Sequence, residues 1–430
     1  DDREGYFPSV SAAWRISEET FMRRTRSWLD NLKFRLSYGT LGNQYTSSLY
    51  PYMATIEPTT SIMPIGGSIT SAMRQNSASN RYITWETIKM TNLGLDMGLF
   101  NNKLNMSFDY FIKDTDDILL RVELPGVLGV TEPYQNAGKV RNKGWELALS
   151  WKDKIGKNFT YGVDFNLSDV KNEVVSMGNT ADDFSGDQIR AVGYPIDAFW
   201  GFQADGLYTV DDFDYDVNTG KYTPKKSTPV IEELRTKVQP GDIKYRDLDG
   251  DGEITTKDDR TYIGSAIPRY TYSLGVNAAW KGIDLKVFLQ GVGKCDGYVG
   301  GMGRHAFTEV ANYPQKVHLD RWTWDNQNSH ATYPRFTYDE TYNKKFSSFW
   351  IEDASYLRVK NIQLGYTFPA QKINFLSKLR ISNLRVYFSG ENLWTLTDFF
   401  SSYDPESPIS DGGYYPITAS YSFGLSITLK

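Results

Sequence analysis

The sequence predicts an all-β fold, a transmembrane antiparallel β-barrel with long loops at one end, of which about 11 strands fall within this chain. Three observations carry that prediction. Apolar residues recur with a period of two along many segments, the signature of strands with two different faces. Short and long connections alternate between those segments. Finally, 15% of the 430 residues are aromatic although the mean hydropathy is only −0.47. A barrel gives this combination because lipid-facing and lumen-facing side chains cancel in any window average.

Taken in order, segment 6–16 opens the series and 32–38 follows, where Leu32, Phe34, Leu36 and Tyr38 alternate with Lys33, Arg35 and Ser37. Next come 85–100 and 103–111, the latter with Leu104, Met106, Phe108 and Tyr110 on one face and Asn105, Ser107 and Asp109 on the other. Segment 145–151 sets Trp145, Leu147, Leu149 and Trp151 against Glu146, Ala148 and Ser150. Segment 159–167 sets Phe159, Tyr161, Val163, Phe165 and Leu167 against Thr160, Asp164 and Asn166. The remaining strands are 269–280, 283–295, 350–368, 381–397 and 420–430. In 350–368 the apolar phase jumps from Leu357 and Val359 to Ile362, Leu364 and Tyr366, which a β-bulge near Lys360 or Asn361 accommodates. Most segments supply the roughly 9 to 11 residues of a tilted membrane strand.

Short links at 101–102, 152–158, 281–282 and 369–380 alternate with long insertions at 43–84, 121–137, 175–268, 296–349 and 398–419. Outer-membrane barrels join their strands with short periplasmic turns and long extracellular loops. All five insertions, and Asp1 with them, are therefore expected outside the cell. Trp14, Trp85, Trp145, Trp151, Trp280 and Trp394 lie near strand ends, where indoles suit a membrane interface. An odd strand count breaks the even parity of such barrels, so residues 1–430 are expected to be one half of a barrel closed by another part. The opening "DDREGYFPSV", with neither methionine nor signal peptide, agrees with a fragment.

Composition narrows the functions. A net charge of −5 without a clustered Lys/Arg stripe argues against nucleic acid. No apolar run approaches the ~20 residues of a membrane helix. The single Cys295 forms no internal disulfide, and His305, His318 and His330 are spaced unlike a zinc site. There is no G-x-S-x-G elbow, P-loop or G-x-G-x-x-G, so no enzyme is expected. The pairs Asp116-Asp117, Asp182-Asp183 and Asp211-Asp212 read as solvated loop carboxylates rather than a glycosidase pair. Aromatic stretches 197–208 and 320–326 put rings beside polar groups, a composition suited to sugar stacking or partner docking.

One motif carries metal chemistry. In "DLDGDGEITTKD", Asp247, Asp249 and Asp251 hold loop positions one, three and five, and Gly252 supplies the turn at six. Glu253 offers its carbonyl at seven, Ile254 is an apolar anchor at eight, and Asp258 closes at twelve in place of the usual Glu. Hard oxygen ligands at alternate positions select calcium, with magnesium as the alternative. The expected role is a structural staple for the 175–268 insertion.

The stretches "NAGKVRNKGWELALSW", "AFWGFQADGLY", "PGDIKYRDLDGDGEITTKDDRTYIGSAIPRYTYSLG", "DRWTWDN", "SSFWIEDASYLRVKNIQLGYTFP" and "VYFSGENLWTLTDF" follow one another along essentially the whole chain. In them the chain resembles the C-terminal barrel region of SusC-like (RagA-like) TonB-dependent outer-membrane transporters of Bacteroidetes. The resemblance implies about half of a barrel of roughly 22 strands, its N-terminal half and plug lying elsewhere. It also implies a SusD-like lid lipoprotein outside, TonB engaged through the missing N-terminal part, and import of an oligosaccharide or, in some members, a peptide. The family's acidic "DxNGDG" loop maps onto Asp247 to Gly252, with Asp249 for Asn. The ending "SFGLSITLK" departs from the aromatic terminus common in such barrels. A secreted, calcium-stabilised glycan-binding β-protein stays open as the alternative of another class.

Overall fold

The computed structural model describes residues 4–45, 52–54, 56–60, 71–75, 78–121, 127, 129–130, 132–178, 180–307, 313–338, 342–369, 373–400, 403–410, 415 and 417–429. Much of the 43–84 insertion, the tip of 121–137, Asp1 and Lys430 fall outside them. Eleven long strands follow one another in a single sheet in chain order: β1 Ser9–Arg15, β2 Leu29–Asn43, β3 Glu86–Leu99, β4 Leu104–Arg121, β5 Tyr134–Ile155, β6 Phe159–Ser176, β7 Arg269–Trp280, β8 Ile283–Lys294, β9 Tyr356–Phe368, β10 Ile381–Thr397 and β11 Ser420–Leu429. Along the chain each connection at one end of the sheet is shorter than those that flank it at the other end. Lys281 and Gly282 both take positive φ, +47° and +94°, the backbone of a two-residue hairpin turn.

The chain divides into two compact units, 1–154 with 162–183 and 190–196, and 155–161 with 184–189 and 197–430. In the first, register keeps the apolar face continuous: Trp14 pairs with Phe34, Phe34 with Leu95, Leu95 with Phe108 and Phe108 with Leu147. The opposite face is polar and braced. Arg35 on β2 reaches across Gly94 on β3 to Asp109 on β4 at 2.9 and 3.0 Å, and grips Asp96 on β3 with two bonds of 2.9 Å. A Cβ at Gly94 would come within 2.5 Å of the guanidinium carbon. Glycine there is a condition of the brace.

The second unit repeats both features. Trp280, Ile283, Tyr366, Val386 and Leu425 form one row across β7 to β11, and Ala278, Leu285, Leu364, Phe388 and Phe423 the next. Arg385 on β10 passes over Gly365 on β9 to bind Asp284 on β8. The phase jump seen in the sequence is a register shift at Lys360 against β8. A second shift beside Asn392, whose φ is +51°, lengthens β10 against β9, so Trp394 opposes Val359. Both strands then keep one apolar face along their whole length. Beyond β10, Asp404 and Glu406 turn back to Arg358 at 2.8 and 2.6 Å and tie that connection to β9.

Apolar rows of both units lack a protein cover. Phe34 is 40% exposed, Phe108 36%, Ile283 42% and Leu364 50%. The largest described hydrophobic cluster contains no residue of β1 to β11 and is built entirely from connecting segments. Among the described residues, the rows of neither unit are buried in a dry centre.

Several expected boundaries shift. Strand 350–368 starts at Tyr356, because Trp350 is fully buried against Tyr333, Phe349 and His305, and Ile351–Asp353 pairs with Asp296–Val299 in a separate small sheet. Strand 6–16 shrinks to Ser9–Arg15, starting after Pro8, which has no N–H for a ladder. The 121–137 insertion is narrower than expected, since β4 and β5 stay paired as far as Arg121 and Tyr134. At 22 residues β5 far exceeds the ~9 to 11 needed to span, so its outer end projects beyond any bilayer. Trp145 sits mid-strand, opposite Tyr110, rather than at a strand end.

Placing arginine at Leu147, opposite Phe108 in the apolar rows, is expected to destabilise the barrel by about 2–4 kcal/mol at mid-bilayer depth. Glu146→Gln on the other face should be nearly neutral. Denaturant titration of the full-length protein refolded into vesicles measures both, and equal effects would reverse the assignment of the two faces.

Candidate functional site

Within the second unit, segment 197–268 of the connection after β6 and the described residues of 295–355 after β8 fold into one body with its own core. Phe202, Leu207, Tyr208, Ile243 and Tyr245 from the first pack with Trp322, Tyr333, Tyr342 and Trp350 from the second. The centre of the lock is Asp242, which is buried. Its carboxylate lies 2.7 Å from Arg335 Nε and accepts from the amide of Gln239 at 2.8 Å and from Asn343 Nδ2 at 2.9 Å. Asn343 Oδ1 accepts from the Ile243 amide, and its carbonyl accepts from Trp350 Nε1. Tyr245 donates to the Tyr342 carbonyl and Tyr208 to that of Pro229. Burial pushes the Tyr208 and Tyr342 phenols up, so both remain neutral hydrogen-bonding groups.

The acidic loop hangs from this body by Ile254, which is 2% exposed and belongs to the core. Its tight path needs glycine: Gly250 and Gly252 take φ of +81° and +94°. Their amides donate to the two oxygens of Asp247 at 2.6 and 2.8 Å, and these bonds, Gly252's first, hold that carboxyl below the usual range.

Of the residues singled out in the sequence, Asp247 and Asp249 converge, with carboxylate oxygens within 4.8 Å of each other and of a third group, Asp259. Asp259 is buried, accepting the Leu248 amide on one oxygen and the Thr255 amide on the other, both at 2.7 Å. It clasps the two ends of the loop. Asp251 accepts the Glu253 amide at 2.8 Å, Glu253 is exposed, and Asp258 lies 3.6 Å from Lys257 Nζ. Sequence reasoning passed over Asp259, for which the only signal was the doublet Asp258-Asp259. The donor set is all oxygen, partly pre-organised and without thiol or imidazole, the chemistry of a hard divalent cation.

Other candidates resolve as structure. His318 accepts the Gln315 amide on Nδ1 and faces the Arg304 carbonyl with Nε2 at 2.7 Å, while burial pushes His305 down to about 3. Asp212 caps a 3₁₀ turn and pairs with Lys244, and Asp116 pairs with Lys89 and Lys139. Cys295 is buried, its thiol pushed up to about 11 by desolvation. Most rings of 197–208 and 320–326, namely Phe199, Phe202, Tyr208 and Trp322, are buried core rather than a docking surface; Trp324 is exposed.

Comparison with known proteins agrees with this geometry. A family described as TonB dependent receptor-like, beta-barrel matches residues 1–393. TonB-dependent receptor P3 of Formosa agariphila is 29% identical over 452 residues, covering 99% of this chain and 42% of that protein. TonB-dependent receptor SusC of Bacteroides thetaiotaomicron is 25% identical, covering 99% and 40%. Among solved structures, the RagAB peptide importer in its open-open state superposes with a TM-score of 0.78 at 24% identity, covering 99% of this chain and 43% of that one. The chain thus spans about two fifths of the length of the relatives it matches.

Asp242→Ala is expected to cost about 2–4 kcal/mol, because it leaves the Gln239 amide and Asn343 Nδ2 without their acceptor and removes the carboxylate that pairs with the partly buried Arg335. Hydrogen exchange should show faster amide exchange at Tyr208 and Ile243 with the sheet strands unchanged. Protection equal to wild type would remove Asp242 from the centre of the lock.

Proposed function

We propose, from the premise that this chain belongs to the TonB-dependent receptor-like β-barrel family, that it forms the C-terminal half of the barrel of an outer-membrane nutrient importer. The observation that supports this most is the two-faced sheet: apolar rows that only lipid would cover, backed by an ion-paired polar face suited to a wet lumen. A secreted glycan-binding protein would leave those rows in water. The long connections, including the domain around Asp242, face the medium, where a SusD-like lipoprotein closes over the lumen. Energy from TonB enters through the part of the protein outside this chain. The cargo is an oligosaccharide; a peptide is the second reading, favoured by the shared architecture with the RagAB peptide importer.

The acidic loop binds calcium as a structural staple. Asp247, Asp249 and Asp259 would hold it, with Asp251, the Glu253 carbonyl and Asp258 as further oxygen donors of the same loop. Sites outside the cell fill even at affinities of roughly 10⁻⁴ to 10⁻³ M. The ion would offset the crowding of carboxylates and order a connection that is costly to fix.

Two measurements test these readings. Deleting the gene, or that of its lid lipoprotein, should abolish growth on an oligosaccharide while growth on the monosaccharide persists; loss on oligopeptides instead selects the second reading, and undiminished growth on both rejects import. Calcium should slow protease cleavage within 177–268, and replacing Asp247 and Asp249 together by alanine should abolish that protection. Digestion indifferent to calcium in the wild-type protein would reject the staple.

A further inference from the structure

The acidic loop has a second surface. Thr256 and Lys257, within it, form one wall of a cleft of about 660 Å³ whose other lining residues are Phe184, Ser185, Trp200 and Arg260. Sites for small ligands typically enclose roughly 300–1,000 Å³. The cleft is built rather than incidental. Arg260 fastens its floor, donating to the carbonyls of Ser185, Gly186 and Trp200 and so stapling the 184–186 strap to the strand Ala198–Phe202. These acceptors are neutral, and the nearest carboxylate, Asp187, stands 3.5 Å away and largely exposed. Arg260 donates to Asp187 at that long distance, so its positive charge is met mostly by dipoles and only partly offset by the carboxylate.

The second cation is freer. Lys257 is 88% exposed and meets only Asp258, at 3.6 Å, an exposed pair of little net worth. Among the described residues no carboxylate lines the cleft. The rings of Phe184 and Trp200, which also line the cleft, stand 4.8 Å apart at 52° and give an aromatic surface to an otherwise polar space. Ser185 and Thr256 add hydroxyls able to donate or accept. Aromatic faces stack on the C–H face of a sugar ring, hydroxyls meet its hydroxyls, and an ammonium meets an acid substituent through a charge-assisted bond.

We propose that this cleft binds an anionic sugar residue, its ring against the Phe184 and Trp200 pair and its carboxylate or sulfate beside Lys257. The site lies on the external loop domain and goes beyond the import reading. Binding in detergent needs neither TonB nor passage through the barrel, so failure of either reading leaves the other standing.

The test is isothermal titration of the full-length protein in detergent at low salt, with trigalacturonate, galactose 6-sulfate and neutral maltotriose. At least one anionic probe should bind about tenfold or more tightly than maltotriose, since hydrogen bonds to charged groups contribute about 1.5–3 kcal/mol. Lys257→Gln should lower that affinity about tenfold, and Lys257→Arg should restore most of it. Lys257 is a surface position, so folding is not in question; Trp200→Ala should also abolish binding. Equal affinity for neutral and anionic sugars, no binding of either anionic probe at millimolar concentration, or unchanged affinity in Lys257→Gln would each overturn the proposal.

Discussion

Register is the constraint on which everything else rests. A strand places successive side chains on opposite faces, so a slip of one residue would turn every lipid-facing ring into the lumen. The rows that run from Trp14 to Leu147 and from Trp280 to Leu425 are unbroken because each pair of strands is aligned to the residue. Where the sequence changes phase, the backbone absorbs the change through the shifts at Lys360 and Asn392. These bulges are corrections that keep the faces pure, placed at the outer part of β9 and β10 where the connection carrying Asp404 and Glu406 is tied to Arg358.

The polar face solves a different problem. In the middle of a wide sheet an arginine can reach past the adjacent strand only where that strand leaves room under the guanidinium. Arg35 over Gly94 and Arg385 over Gly365 show the same answer in both units, with a glycine as the saddle and an aspartate on the far strand as the anchor. Such half-exposed ion pairs contribute modestly to stability by themselves. Their effect is to bridge three strands and to fix the polar side as polar, which discourages the register slip that the apolar side also forbids.

With both faces of the sheet committed to lipid and lumen, the hydrophobic core moves into the connections. The segments after β6 and β8 bury Trp350, Tyr208, Tyr245 and Ile254 together and close around Asp242. The acidic loop is an outgrowth of that body, anchored by Ile254 and clasped by Asp259. Its inner carboxylates, Asp247, Asp249 and Asp259, draw together, while Thr256 and Lys257 line the cleft on its outer side.

How much was legible follows from the range of each interaction. Period-two alternation, the Lys281-Gly282 turn, the phase jump at Lys360 and the Asp/Gly spacing of the acidic loop are local, so the sequence by itself determined eleven strands in order, the alternation of connections and the place of the tight acidic loop. Asp259 escaped because its role depends on bonds to Leu248 and Thr255 rather than on loop position. Trp350 was read as a strand residue because alternation cannot tell a lipid-facing ring from one buried in a loop domain. Only the tertiary structure decided where the core lies, which glycines act as saddles and which rings are hidden, because those depend on partners such as Asp242 and Asn343 that are about a hundred residues apart and share no local pattern.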